Sequence, residues 1–211
     1  MPITLYGAPM TRSLRVSWML EELGLAWDYR PVDFSSGGHR SPEFLAINPA
    51  GKVPALRDGD LVLVESAAIC LYLAERYGQG RYVPAPGTAA SGLHLQWLSY
   101  IVCELEQPLW SMAKHKFALP REWRVPAMLE TAPKEFDRAM NVALKWLPDE
   151  GCLLGAEPMV ADILLAHTLH WAASFKLALP AAATAYGERL SARPQLARAV
   201  AREAAGNGGS T

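Results

Sequence analysis

A proline inside an apolar run constrains this chain more than any other single residue. The run VPAL has the composition of a β-strand, yet Pro54, directly after Val53, has no N–H to donate to a neighbouring strand. Prolines are tolerated where a strand begins or at the edge of a sheet, so we expect Pro54 to open a strand. The run leads into Asp58-Gly59, a dipeptide typical of a β-hairpin.

The segments around this strand alternate between strand and helix patterns. Strands are predicted at ITLYG, AWDYRPVDF, VPAL and LVLVE. Helices are predicted at SLRVSWMLEELGL, SPEFLAINP and SAAICLYLAERYG, the second with Ser41 as its cap and Pro42 in its first turn. The predicted order is therefore βαβαββα, an α/β domain of residues 1–80.

The remainder of the chain carries helical patterns and no convincing strand. Two prolines and two glycines in YVPAPGTAASG predict a linker over residues 81–92. Residues 93–204 predict an all-helical domain, in which one helix starts near Pro133 and the segment MVADILLAHTLHWAASF forms a mostly buried helix. Residues 205–211, AGNGGST, predict a flexible tail.

The composition argues against several classes of function. Hydrophobic residues make up 51% of the chain and the net charge is -1, so no excess of positive charge indicates a nucleic acid or an anionic membrane as partner. No apolar segment has the length of a transmembrane helix and no leader pattern is found, so we expect a cytoplasmic protein. Cys70, Cys103 and Cys152 lack metal-ligand spacing and are expected to be buried thiols.

The order of elements and two motifs together resemble the cytosolic glutathione transferases. The motifs are HRSPEFLAINPAGKVPAL and VESAAICLYLAERYG, which follow LYGAPMTRSLRVSWMLEELGL in the expected order and spacing. The resemblance covers almost the whole chain. It implies a thioredoxin-like N-terminal α/β domain, an all-α C-terminal helical bundle, and glutathione bound to the first domain as a co-substrate, with no further cofactor. It also implies a homodimer.

The resemblance implies a peptide-binding edge beside Pro54. Family members have a cis peptide bond before the matching proline, which leaves the N–H and C=O of the preceding residue, here Val53, free to pair with glutathione. Glu65 and Ser66 match the residues that hold the γ-glutamyl end, where a helix N-terminus suits a carboxylate. The alternatives are an ordinary edge-strand proline and an ordinary serine N-cap.

The opposite end of glutathione requires a basic partner. In several classes of the family a basic residue before the second helix meets the glycine carboxylate. His39 matches that position best and Lys52 is a second candidate, while Arg40 is explained as a solvated charge, as is usual for an arginine in a loop.

The catalytic hydroxyl is predicted in the loop after the first strand. A hydroxyl that donates a hydrogen bond to the glutathione sulfur stabilises the thiolate, the reactive form. Thr11 matches the usual serine position, Ser13 is the reserve candidate, and Tyr6 is expected to form part of the wall. Threonine in place of serine is a departure from the family pattern, and the alternative is that Thr11 only caps the first helix.

A second substrate, a small and mostly apolar electrophile, is expected to bind beside the helical domain. Met10, Trp110, Met112 and His115 are the candidate pocket residues, although each of the last three is equally well explained as core between helices. Conjugation of glutathione to that electrophile is the predicted activity. The alternatives are a glutathione-binding or scaffold protein without turnover, and a relative with glutathione-dependent peroxidase activity.

Two further features have structural interpretations. His167 and His170 have a spacing that metal sites use, but no cluster of other ligands supports a metal, so we predict none. Met159 stands where the family commonly has Ser or Thr in a capping box with Asp162, a change expected to cost about 1 kcal/mol of helix stability.

Overall fold

The computed structural model describes residues 2–207, which form two compact units. The first unit contains residues 2–83 together with residues 192–207, and the second contains residues 84–191. The sheet lies in the first unit and the second is built from helices, so the predicted combination of a thioredoxin-like domain and a helical domain is confirmed.

Four short strands form one mixed sheet in the first unit. They are β1 (Ile3–Gly7), β2 (Trp27–Pro31), β3 (Ala55–Asp58) and β4 (Leu61–Val64), in the spatial order β2-β1-β3-β4. β1 and β2 are parallel, whereas β3 runs antiparallel to both β1 and β4. Because β3 begins directly after Pro54, the proline removes no hydrogen bond from the sheet.

Three helices accompany the strands in the predicted places. They are α1 (Ser13–Leu23), α2 (Pro42–Leu45) and α3 (Ser66–Tyr77). α1 ends at Gly24, whose φ of 64° is a left-handed conformation that glycine adopts at little cost. The Ser41 hydroxyl caps α2 by accepting a hydrogen bond from the Phe44 N–H at 3.2 Å.

The second unit is assembled from five α-helices and two π-helical segments. The α-helices are α4 (Ala89–Tyr100), α5 (Glu106–Ala113), α6 (Met128–Ala143), α7 (Val160–Ser174) and α8 (Ala181–Ser191). The chain winds as π-helix over Ile101–Leu105 and again over Lys114–Ala118. α7 is mostly buried, as its apolar sequence predicts. Within residues 2–207 no helix combines the length and the apolar character needed to cross a membrane.

The last helix, α9 (Pro194–Asn207), belongs to the α/β unit, so the prediction that it completes the helical bundle is wrong. It packs against α1 and β2. Arg193, just before α9, donates two hydrogen bonds to the buried Glu22 carboxylate, at 2.6 and 2.8 Å. A helical pattern predicts that a helix buries one face, but it does not tell which surface that face covers.

A second group of contacts fixes α9 further along its length. The Ser17 hydroxyl donates a hydrogen bond of 2.5 Å to Glu203, which is 3% exposed. Burial raises the pKa of Glu203 to about 7. Gly206 lies so close to the Tyr29 ring that a Cβ atom at this position would come within 2.5 Å of it. α9 is thus tied to the α/β unit by buried polar contacts as well as by close packing.

The N-terminus of α7 keeps half of the capping box that its sequence suggested. The buried Asp162 carboxylate accepts hydrogen bonds from the Met159 N–H and the Leu153 N–H, both at 2.8 Å. It also accepts one from the Tyr186 hydroxyl. These partners satisfy the carboxylate although Met159 offers no capping oxygen.

Some predicted boundaries differ from the structure. α4 begins at Ala89, inside the predicted linker over residues 81–92. α6 begins at Met128, five residues before Pro133, so the proline lies inside the helix and only its own missing N–H leaves the Leu129 carbonyl oxygen without a helical donor. α9 continues to Asn207, so the predicted tail of residues 205–211 starts too early, and residues 208–211 lie outside the described residues.

The prediction of three buried thiols is wrong for one cysteine. Cys70 and Cys152 are buried, but Cys103 is exposed. It lies within Ile101–Leu105, where both end residues are fully buried. A residue two positions from each of them faces the opposite side of a helical segment, and that side is the solvent.

Candidate functional site

The loop before β3 holds Val53 with its peptide groups unpaired. The Val53–Pro54 bond is cis, the form that the resemblance implies. Among residues 2–207 no hydrogen bond to the Val53 N–H or C=O is found. The buried Asn48 side chain fixes the loop, because its amide donates to Lys52 O at 2.6 Å and its oxygen accepts from the Ala50 N–H at 3.1 Å. An extended peptide can add to this edge as a further strand.

The N-terminus of α3 supplies a second recognition element. Ser66 is the first residue of α3 and is nearly buried, while Glu65 before it is exposed. Glu65 has φ 69° and ψ 109°, a conformation that residues other than glycine rarely adopt. Such strain is typical of residues whose position is set by function. Both predicted residues therefore lie where unpaired helix N–H groups favour an anion.

Arg15 is a site residue that the sequence analysis missed. Its side chain is 1% exposed, and its Nη1 donates a hydrogen bond of 3.3 Å to the Ser66 hydroxyl oxygen. Because a guanidinium can only donate, Ser66 accepts here and keeps its own proton for another acceptor. The buried positive charge also favours an anion at this end of α3. A charged residue on a helix face shared with Trp18 and Met19 was the signal that could have revealed it.

The two candidate hydroxyls of the loop after β1 bond to each other. Thr11 Oγ1 lies 2.9 Å from Ser13 Oγ and 2.6 Å from Ala8 O, and it accepts from the Ser13 N–H at 3.1 Å. Ser13 is fully buried and accepts from the Ala8 N–H at 3.3 Å, whereas Thr11 is half-buried. Of the two hydroxyls, that of Thr11 is therefore the more accessible.

The two basic candidates lie on neighbouring loops. A Cβ atom at Gly51, next to Lys52, would come within 2.9 Å of the His39 carbonyl oxygen, so the two loops are in direct contact. Lys52 is exposed. The His39 ring stacks on Phe34 with centroids 4.5 Å apart, and its buried Nδ1 has no hydrogen-bond partner within the described part of the chain. The structure thus places both predicted basic residues on loops that touch each other.

The predicted pocket residues are divided between the two units. Met10 is 97% exposed with φ 57°. Trp110, Met112 and His115 are half-buried in the helical unit, and His115 Nδ1 accepts a hydrogen bond of 3.1 Å from the Val125 N–H. No group of three or more His, Cys, Asp or Glu side chains arranged to hold a metal occurs in residues 2–207.

Comparisons with known proteins agree with this geometry. Residues 1–75 match the model of the glutathione S-transferase N-terminal domain, and residues 107–196 match the model of the C-terminal domain. A solved glutathione transferase from Methylococcus capsulatus is 30% identical, with a TM-score of 0.84 over 96% of this chain and 99% of that one. This chain belongs to the glutathione S-transferase family.

Other relatives of this glutathione S-transferase family member are found in fungi and plants. The transferase URE2P6 of Phanerochaete chrysosporium, solved with oxidized glutathione, is 30% identical, with a TM-score of 0.82 over 96% of each chain. Glutathione S-transferase 3 of Zea mays is 44% identical over 98 residues, which is 46% of this chain and 44% of the maize protein. The match therefore spans less than half the length of that curated relative.

Replacing Glu65 by glycine should separate stability from binding in this glutathione S-transferase family member. Glycine adopts a φ of 69° without strain, so Glu65→Gly is expected to raise the free energy of unfolding by about 1 kcal/mol. On the role that the resemblance implies for Glu65, the substitution also removes the carboxylate that holds the γ-glutamyl end, so affinity for glutathione should fall at least tenfold. Urea unfolding and calorimetry measure the two effects. Glu75→Gly, within α3, is the control and should only destabilise.

Proposed function

We propose that this protein is a glutathione transferase that joins the glutathione thiolate to small, mostly apolar electrophiles. The observation that carries the proposal is the unpaired N–H and C=O of Val53, which lie on the loop that leads into β3, beside the α3 N-terminus in the same unit. Glutathione is a short extended peptide with a carboxylate at each end. These two elements supply a strand edge and an anion site for it.

In this proposal the two ends of glutathione bind to different groups. The γ-glutamyl carboxylate accepts from the Ser66 hydroxyl, whose proton is available because Arg15 donates to its oxygen. Glu65 faces the ammonium group of the same residue. His39 and Lys52 face the glycine carboxylate, and the loop contact at Gly51 supports their joint action.

Thr11 is the proposed partner of the sulfur. Its single proton is directed to Ala8 O or Ser13 Oγ in the structure, so it must rotate toward the sulfur to stabilise a thiolate. Ser13 can then donate to Thr11 Oγ1 and keep it in place, which makes Ser13 a positioning residue. The α1 N-terminus acts in the same direction, since a partial positive charge lowers the pKa of a nearby thiol.

The thiol proton leaves to solvent, and the thiolate attacks the electrophile directly to form a C–S bond. With 1-chloro-2,4-dinitrobenzene the C–Cl bond breaks and chloride leaves, and no covalent bond to the protein is formed. Met10, Trp110, Met112 and His115 remain the proposed contacts of the electrophile. We further propose a cytoplasmic homodimer that needs no cofactor besides glutathione. A glutathione-binding protein without turnover is the second candidate, favoured by the hydrogen bonds that already engage the Thr11 hydroxyl.

Substitution of Thr11 tests the proposal. A hydrogen bond to a charged group contributes about 1.5–3 kcal/mol, so Thr11→Ala should lower kcat/KM for 1-chloro-2,4-dinitrobenzene by about 10- to 100-fold. The pKa of bound glutathione, read from thiolate absorbance, should rise in parallel. The Kd for glutathione should change little. Thr11→Ser keeps the hydroxyl and should keep most of the activity.

Two outcomes would contradict this function. If calorimetry detected no heat of binding with millimolar glutathione, both the transferase and the glutathione-binding candidate would be wrong. Binding without turnover across several electrophiles, in the wild type as well as in Thr11→Ala, would favour the second candidate. Equal turnover in the wild type and Thr11→Ala would keep the transferase but exclude Thr11 as the group facing the sulfur.

A further inference from the structure

The segment after α5 displays apolar side chains to solvent. From residue 116 to residue 127 every residue is exposed except Leu119 and Arg124, which are half-buried. Phe117 is 59% exposed, Trp123 65% and Val125 49%. Large apolar side chains grouped on a surface are uncommon in monomeric proteins and mark sites of interaction.

The same segment concentrates positive charge. Residues 114–125 contain four cationic side chains, Lys114, Lys116, Arg121 and Arg124, and one acidic side chain, Glu122. The net charge of -1 for the whole chain averages over this local excess. Lys116 also lies over the Phe175 ring, with its Nζ 5.6 Å from the centroid. Basic and aromatic side chains therefore occur together in one exposed segment, which we call the basic aromatic loop (residues 114–125).

Hydrogen bonds to Arg124 give the basic aromatic loop a defined shape. The Arg124 guanidinium donates to the carbonyl oxygens of Lys116, Phe117 and Leu119, at 3.2, 2.8 and 2.8 Å. These bonds satisfy carbonyls at the end of a π-helical segment, where no helical N–H follows. Phe117 is thereby held next to the chain segment that carries Trp123. The exposure of both rings is part of the folded loop.

We infer that the basic aromatic loop binds to the surface of an anionic lipid bilayer. Tryptophan and phenylalanine enter the region between headgroups and acyl chains, while lysine and arginine are attracted to anionic headgroups. The loop therefore carries cations for the anionic headgroups and aromatic rings for the region between the headgroups and the acyl chains. The same unit has a cavity of about 430 Å³, lined by residues 100–108 of the first helical stretch and residues 135–142 of α6. No residue of the basic aromatic loop lines this cavity, so the loop is a separate surface.

Vesicle co-sedimentation tests the inference on the chain of 211 residues. Vesicles of equal parts phosphatidylglycerol and phosphatidylcholine should bind the protein at 50 mM NaCl, and pure phosphatidylcholine should bind it at least tenfold more weakly. Lys116→Glu with Arg121→Glu should weaken binding about 25-fold or more, since each lost cation costs about fivefold. Phe117→Ala with Trp123→Ala should weaken it about tenfold or more.

Matched controls on the same unit separate this surface from general effects. Lys134→Glu with Lys145→Glu reverses two exposed charges outside the loop, and Leu95→Ala truncates an exposed apolar side chain of α4. These variants should bind vesicles like the wild type. Circular dichroism and the urea midpoint check that all variants are folded.

Three results would overturn the inference. Failure to bind the anionic vesicles at 50 mM NaCl would exclude it, as would equal losses in the loop variants and the controls. If polyglutamate binds as tightly as the vesicles and the aromatic substitutions have no effect, the loop recognises an acidic chain instead of a bilayer.

Discussion

Deleting α9 by ending the chain at Ala192 is expected to unfold the α/β unit. The deletion removes Arg193 and leaves the Glu22 carboxylate, which is 6% exposed, without its bidentate partner. Trp18 Nε1 and the Tyr82 hydroxyl still donate to Glu22. Loss of the charged partner of a buried carboxylate costs about 3–5 kcal/mol, and the newly exposed faces of α1 and β2 add to that cost. The total approaches the 5–15 kcal/mol that stabilises a typical domain. Urea unfolding monitored by circular dichroism should show the loss of one transition.

Single substitutions just before α9 and within it separate the contributions to this loss of stability. Arg193→Ala removes the pair but keeps α9, so it should destabilise the unit by about 3 kcal/mol or more. Val200→Ser changes a residue of α9 that is 49% exposed and should have little effect. A shortened chain with the urea midpoint of the wild type would show that the contacts of α9 contribute nothing to stability.

Raising the pH from about 5 to 8 should destabilise the α/β unit through Glu203. Burial raises the pKa of Glu203 in the folded state to about 7, above its ordinary value of 4.5. Between these values the folded state holds a proton that the unfolded state has released. Stability is therefore lost as the pH rises, by at most about 3 kcal/mol. Thermal unfolding at a series of pH values measures the slope.

Glu203→Gln is the matched control for this pH dependence. The amide oxygen can still accept from the Ser17 hydroxyl, but the side chain no longer titrates. The variant should be more stable than the wild type at pH 8 and lack the loss between pH 5 and 7. His94, whose pKa burial lowers to about 4, destabilises the helical unit toward acid and affects both proteins equally. Parallel profiles for the two proteins would contradict the assignment to Glu203.

Local chemistry explains why most of the fold could be predicted from the sequence. The hairpin at Asp58-Gly59, the cap at Ser41 and the stop at Gly24 depend on residues within a few positions of each other. The same holds for Ser66, which begins a helix and therefore lies at an anion-favouring terminus. The family resemblance then related these local elements to glutathione.

Contacts between distant residues explain what the sequence did not predict. Arg15 meets Ser66 across 51 positions, and no pattern within α1 indicates which hydroxyl a buried guanidinium reaches. The placement of α9 depends on pairs such as Arg193 with Glu22, 171 positions apart. The difference in accessibility between Thr11 and Ser13 depends on how their loop folds back on Ala8.

The inclusion of α9 in the first unit has a consequence for how the protein is made. Residues 2–83 leave the ribosome before the helical unit, but Arg193 follows only after another 109 residues, which takes roughly 5–20 s at ordinary rates of synthesis. The helical unit, which is continuous in sequence, is complete before then. The domain that is translated first is thus the last to acquire its full set of contacts. Until Arg193 and Gly206 have been translated, Glu22 lacks its charged partner and Tyr29 lacks the helix that packs on its ring.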